Sequence, residues 1–269
     1  MENKHPKIIT LAANKGGVGK TRSTILTANC LGSAGKKVLV IDMDFNNSAT
    51  YYYLNEELFM KATTKNIADA LSRETNSLPA YVLPTIKKGV DIIASSRFLA
   101  DLRAISEKRL VRMIPALADL YDFVIIDCQP TYDNLTLNAL NAASIIITPV
   151  LKDLDSFNAA CFLEQKIANE TDKISSWFIT INGYNRQFEN ALGGKQKEYI
   201  EIFTNRLPHT TRKTWYPWTT DMNELKDLKK PLSEVPINGT ICNPGLYRAV
   251  VSLAEYFVEE EYLMCAEAF

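Results

Sequence analysis

The chain has 269 residues, 46% of them hydrophobic and 23% charged, with a net charge of −1. That is enough apolar material for one sizeable core, and the near-neutral balance by itself gives no support for nucleic-acid binding. No stretch approaches the ~18 apolar residues of a membrane span, and Met1-Glu2-Asn3-Lys4-His5 does not read as a signal peptide, so a cytoplasmic protein is expected.

Taken in chain order, the first apolar run, Ile8 to Ala13, reads as a strand, and Asn14-Lys15-Gly16-Gly17-Val18-Gly19-Lys20-Thr21 follows it. A strand, a glycine-rich turn and a helix start make a phosphate cradle, because glycines let successive backbone N–H groups converge on anionic oxygens at the positive end of a helix. Lys20 is placed to reach β/γ-phosphates and the Thr21 hydroxyl to ligate Mg²⁺. The ordinary pattern has glycine five residues before Gly19; Asn14 stands there, with a second lysine, Lys15, beside it. Two lysines in one short loop repel, an arrangement that makes most sense around a polyphosphate.

A helical segment from Leu26 to Gly35 comes next, with Gly32, Gly35 and Lys36-Lys37 expected to end it. Val38 to Ile41 reads as a buried strand ending in Asp42-Met43-Asp44, and Phe123 to Ile126 as another ending in Asp127. Both acidic ends fall where open α/β sheets bind ligands, and a carboxylate beside a core needs a cation or donors. Tyr51-Tyr52-Tyr53 reads either as packing or as a dimer or partner surface. Strands at Ile145 to Val150 and Trp177 to Ile181, with a helix from Leu154 to Glu170 between them, continue the alternation. The expected fold is α/β and doubly wound, a mostly parallel sheet with helices on both faces and right-handed βαβ units, in one domain over residues 1–269. Cys30, Cys128, Cys161, Cys242 and Cys265 form no Cys-x-x-Cys pair, which leaves zinc, iron–sulfur and disulfide frameworks unsupported. His5 and His209 lie in no nucleophile motif.

Three segments in order, Lys15 to Thr21, Val38 to Asp44 and Tyr121 to Asp127, resemble the ParA/MinD family of deviant Walker ATPases, P-loop proteins. The resemblance runs on more thinly through Leu135 to Leu140, Ile145 to Val150, Trp177 to Asn182, Trp215-Tyr216-Pro217 and Lys230-Pro231-Leu232. It implies ATP and Mg²⁺ as cofactors, with Gly16, Gly17, Val18, Gly19, Lys20, Thr21 and Arg22 around the phosphates. It also implies that Lys15 reaches across a homodimer, that Asp44 positions the attacking water and belongs with Thr21 and Asp127 to the metal site, that Asp127 holds Mg²⁺ through water, and that Asn182, Pro217 and Trp218 face the adenine. The small Soj-like DNA-partitioning members are closest in type. The chain departs from the family at Phe45-Asn46, where Pro-Gln is usual, at Gln129-Pro130 in place of two prolines, and at Arg22 in place of threonine. Pro217-Trp218-Thr219 and Asp221 replace arginines that partition relatives carry.

Between Arg186 and Lys230 nine basic side chains face six acidic ones, and Arg206, Arg212, Lys213, Lys229 and Lys230 are the candidates for nonspecific DNA contact. From Leu246 to Phe269 the sequence reads as an acidic helix packed on the sheet, which an anionic bilayer would repel, so no membrane partner is expected. The chain opens on its first strand, with no room expected for an amino-terminal DNA-reading domain. The resulting expectation is an ATP-dependent dimerisation switch for plasmid or chromosome partition, nucleoid-associated with ATP and triggered by a ParB-like centromere-binding adaptor. The alternatives are a MinD-like regulator on a protein or membrane surface, a P-loop small-molecule ligase, and a nucleotide sensor that hardly hydrolyses.

Overall fold

The computed structural model describes residues 5–33, 35–73, 77–182, 194–206 and 211–212. The apolar runs form strands β1 (Lys7–Leu11), β2 (Val38–Met43), β3 (Leu83–Pro84), β4 (Val90–Ile93), β5 (Phe123–Cys128), β6 (Ile145–Val150), β7 (Trp177–Ile181) and β8 (Thr211–Arg212). They lie side by side in the order β3-β4-β2-β5-β1-β6-β7-β8. β3 runs antiparallel to β4, and every other neighbouring pair is parallel.

The helices are α1 (Lys20–Ser33), α2 (Ser48–Tyr53), α3 (Glu56–Ala62), α4 (Ile67–Ser72), α5 (Arg109–Met113), α6 (Asn134–Ala142), α7 (Leu154–Glu170) and α8 (Gly194–Arg206). The period-2 alternation of strand side chains sorts them between two faces. Ile8, Leu39, Ile41, Val124, Ile126 and Ile146 point to a core shared with α4, α5, α6 and α7. Ile9, Leu11, Val40, Phe123, Ile125 and Ile147 point to the opposite core, under α1 and α2. Strands buried on both faces need near-continuous apolar sequence, and β2, β5 and β6 are buried at every position. The doubly wound expectation therefore holds, with one antiparallel strand at the edge.

One local expectation changes and one open reading narrows. Gly32 does not end α1; it lies inside the helix where α1 crosses β4, and a Cβ there would sit 2.9 Å from Val90 Cγ2 and 3.1 Å from the Lys88 carbonyl. Gly35, at φ +81°, makes the turn instead. Of the three tyrosines, Tyr53 is fully buried and donates to Asn29 Oδ1 at 3.1 Å, and the Tyr52 hydroxyl accepts from Asn29 Nδ2 at 2.8 Å. Tyr51 alone is exposed, stacked on Phe59, so the run is mainly packing. The helix expected over Leu246 to Phe269 lies outside the described residues.

Candidate functional site

β1 sits at the sheet's switch point, between β5 reached from one direction and β6 from the other, and the loop of residues 12–19 leaves its carboxyl end. Gly17 (φ +74°) and Gly19 (φ +99°) occupy the left-handed region that L side chains rarely adopt. No atom lies within 4 Å of where a Cβ would stand on Gly16 or Gly17, so the inner wall of the loop is open backbone. At Gly19 a Cβ would fall 2.5 Å from Asn182 Nδ2. Asn182 thus packs directly on the loop: its Nδ2 donates to the Val18 carbonyl at 2.7 Å and its backbone N–H to the Val150 carbonyl at 2.7 Å. Its Oδ1 is buried without a partner.

Lys20 opens α1, is buried, and curls back so that Nζ donates to the Lys15 carbonyl at 3.0 Å. Burial pulls its pKa down, opposed by the nearby negative charges of Asp127 and Asp44. Held this way, the ammonium lies against the loop wall with acids below it, which suits an anion carrying several charges.

The acids come from adjacent strands. Asp42 and Asp127 are register partners in β2 and β5, and Leu11 of β1 pairs with Asp127 on the other side. Asp42 is completely buried but well served: Thr50 N–H and Oγ1 donate to it at 2.9 and 2.7 Å and Asp44 N–H at 3.1 Å. Burial still pushes its pKa up to about 6, despite these bonds. Asp127 is equally buried, yet neither carboxylate oxygen has a hydrogen bond of ordinary geometry. Burial first, and then the charge of Asp42, hold its pKa well above the ordinary carboxyl value, with the side chain of Thr21 near enough to offset part of that. Asp44 is buried, and its Oδ1 accepts both the N–H and the Nδ2 of Asn46 at 2.9 Å, while its carbonyl accepts Ser95 Oγ at 2.8 Å.

Among the described residues no group of three or more His, Cys, Asp or Glu side chains is arranged to hold a metal ion. Mg²⁺ keeps most of its waters and needs only one or two protein oxygens beside the substrate's phosphates, so an orphaned buried carboxylate next to a threonine hydroxyl fits it.

Lys15 has a partner in its own chain. Its Nζ donates to Asp153 Oδ1 at 2.6 Å and to Ser156 Oγ at 3.2 Å. Asp153 caps α7, accepting the Ser156 N–H at 2.7 Å. Burial works to raise the Asp153 pKa, but its bonds from Lys15 and Ser156 outweigh that and hold it below the ordinary value. Sequence reasoning missed both residues. The spacing of Asp153 before a helix signals a cap, whereas its pairing with a lysine 138 positions away is a product of the fold.

One edge of the sheet therefore brings together Lys15 to Arg22, Asp44, Asp127 and Asn182. Arg206 ends α8, and Arg212 lies on β8 at the far edge of the sheet. Lys213, Pro217, Trp218, Lys229 and Lys230 lie outside the described residues.

A glycine-rich loop between the first strand and first helix, with aspartates at the ends of neighbouring parallel strands, defines a P-loop nucleotide-binding fold. The chain belongs to the ParA/MinD family of P-loop ATPases. The family model described as an AAA domain matches residues 6–175. Over 219 residues the chain is 33% identical to the chromosome partitioning protein ParA of Myxococcus xanthus, covering 74% of this chain and 75% of that one. It is also 33% identical over 150 residues to the sporulation initiation inhibitor protein Soj of Bacillus subtilis, covering 54% and 58%. The chain spans little more than half the length of other curated relatives, 54% in one case. A plasmid partition protein of Borrelia burgdorferi B31, crystallised with AMPPNP, shares the fold at a TM-score of 0.70 and 23% identity, over 95% of this chain and 100% of that one.

Proposed function

We propose that this chain is an ATP-dependent dimerisation switch for partitioning a plasmid or chromosome. The observation that carries this reading is the buried, unpartnered Asp127 beneath an open glycine cradle that already holds Lys20. In this reading Lys20 binds the β/γ-phosphates, Thr21 and Asp127 hold Mg²⁺, and Asp44 orients the attacking water. Bound Mg²⁺ would neutralise charge on the phosphates as the bond breaks. Asn182, with Pro217 and Trp218, faces the adenine.

Lys15 exchanges Asp153 for the nucleotide of a second copy. The exchange is small in energy: with Lys15 and Asp153 side chains 23% and 40% exposed, an ion pair of this kind is worth about 0–1 kcal/mol, and a polyphosphate offers more charge. The homodimer holds DNA of any sequence through basic residues among Arg206, Arg212, Lys213, Lys229 and Lys230, and a ParB-like centromere-binding adaptor stimulates hydrolysis. Unstimulated turnover is slow, ~10³–10⁵-fold below the activated rate, as in phosphoryl-transfer sites whose charge clamp is incomplete. Residues 1–269 act as one domain in the cytoplasm, on the nucleoid when ATP is bound. No described helix is long and apolar enough to cross a membrane.

Two variants test the assignment. Lys20→Ala removes the cation on the phosphates and should abolish ATP binding in calorimetry. Lys15→Ala leaves the cradle complete and should bind ATP yet stay monomeric by light scattering. Undiminished affinity in the first, or ATP-induced dimers in the second, would reassign these lysines.

A further inference from the structure

We infer that Arg103 is a positioning residue that couples the loop carrying Asp44 to the turn that follows Asp127. Arg103 comes directly after the 3-10 turn Arg97–Leu102, remote in sequence from both. Its guanidinium carbon lies 5.6 Å from the centroid of the Phe45 ring, within cation–π range. Its Nε lies 3.6 Å from Asp133 Oδ2.

Each contact leads to one of the two loops. Phe45 follows Asp44, and its ring is half-buried against the larger of the two cores. A phenylalanine, unlike a proline, does not fix its own φ, so the direction of this loop depends on what holds the ring. On the other side, Asp133 Oδ1 caps α6 by accepting the N–H groups of Leu135 and Thr136 at 3.0 and 3.2 Å. Asp133 Oδ2 accepts Gln129 Nε2 at 2.6 Å. Gln129 is buried two residues beyond Asp127, and its Oε1 has no partner, so this bond is what fixes the amide. The line from Phe45 through Arg103 and Asp133 to Gln129 consists of side chains in contact, with a rigid helix start as its anchor.

The ion pair alone would do little. Arg103 is 46% exposed, and a single longish contact to carboxylate in that setting is weak. The contact with Phe45 adds the second link: the guanidinium carbon lies within cation–π range of the half-buried ring, so losing Arg103 changes what holds that ring and, through it, the backbone next to Asp44. Arg103 touches neither phosphate cradle nor carboxylates of the site, so its effect is on geometry.

The inference rests on the proposed roles of Asp44 and Asp127, and two measurements keep the two questions apart. In steady-state turnover, Arg103→Ala should lower kcat on the order of tenfold, the scale of a small misplacement in a reacting geometry, with ATP affinity unchanged. Phe45→Leu should do the same, and the double variant should be no worse than either alone, as expected of one coupled unit. Phe45→Tyr, which keeps an aromatic face, should restore turnover, whereas Arg103→Lys should restore it only in part. Wild-type kcat in Arg103→Ala, or independent losses that multiply, would overturn the coupling.

Amide hydrogen exchange on the nucleotide-free chain reads the same link without turnover. Arg103→Ala should raise exchange in segments 44–47 and 129–133 together; a rise in only one of them contradicts the inference. If both segments respond but the wild-type chain hydrolyses no ATP, the coupling stands and the catalytic reading of Asp44 falls.

Discussion

Asp127 shows how a site is paid for at the level of one residue. A carboxylate with no exposed surface and no hydrogen bond of ordinary geometry is held in the fold only because its strand is buried on both sides. Asp127→Asn should therefore stabilise the nucleotide-free chain, by about 1–3 kcal/mol if the amide relieves an unsatisfied charged group. The same change should abolish the extra stability that Mg²⁺ with ATP confers on the wild type. The sign with pH follows from the raised pKa values of Asp127 and Asp42. Because the folded chain holds these protons more tightly than the unfolded one, the stability involved is full below the ordinary carboxyl pKa of 3.8 and is lost as pH rises through the raised folded-state values, about 6 for Asp42 and well above the ordinary value for Asp127. Thermal melts at pH 5 and 7.5 should show the nucleotide-free variant gaining most at the higher pH; a variant that melts below wild type at pH 7.5 contradicts the reading.

Strand-end acids such as Asp127 were legible in the sequence because a long apolar lead-in makes a carboxylate conspicuous. The partner of Lys15 was not. Nothing local connects Lys15 to Asp153, and only the parallel pairing of β1 with β6 carries the start of α7 to the phosphate loop.

Among the elements, β1, β2, β5, β6, β7 and α7 follow directly from apolar runs and helical spacing, since strands buried on both faces and a long amphipathic helix leave strong patterns. The short elements between β2 and β5 do not. β3 has two residues and contains Pro84, and Asp91 interrupts the four residues of β4, so neither period nor length marks them. Gly32 misled for a related reason: glycine near a helix end suggests a cap, but here it clears space for β4. Gly32→Val should accordingly force α1 away from Val90 and Lys88, with an overpacking cost of about 1–3 kcal/mol and a matching fall in melting temperature. A Gly32→Val chain as stable as wild type would mean that α1 and β4 separate at no cost. Gly35→Ala is a useful contrast, because no atom lies near its absent Cβ and any loss there comes from its φ of +81°.

At the scale of the whole molecule, the doubly wound sheet was the most legible feature, because alternating strand and helix patterns admit few topologies once connections are right-handed. The order of strands puts β1 at the switch point, and that fixes where the phosphate loop must lie. Charge is far less informative at this scale. A net charge of −1 leaves the sign of any DNA-facing surface to its local distribution, and two of the five basic candidates, Arg206 and Arg212, stand at the end of α8 and on β8, the edge strand beside β7. The proposed partition activity therefore turns on whether nucleotide state and DNA affinity are linked. The direct measurement is fluorescence anisotropy of a labelled random-sequence duplex titrated with the full chain in Mg²⁺ with ATP and in Mg²⁺ with ADP. Binding is predicted with ATP alone, to any sequence alike, weakening as salt rises with a log–log slope set by the number of phosphates engaged. Equal binding in the two nucleotide states, or no binding in either even at low salt, would contradict it.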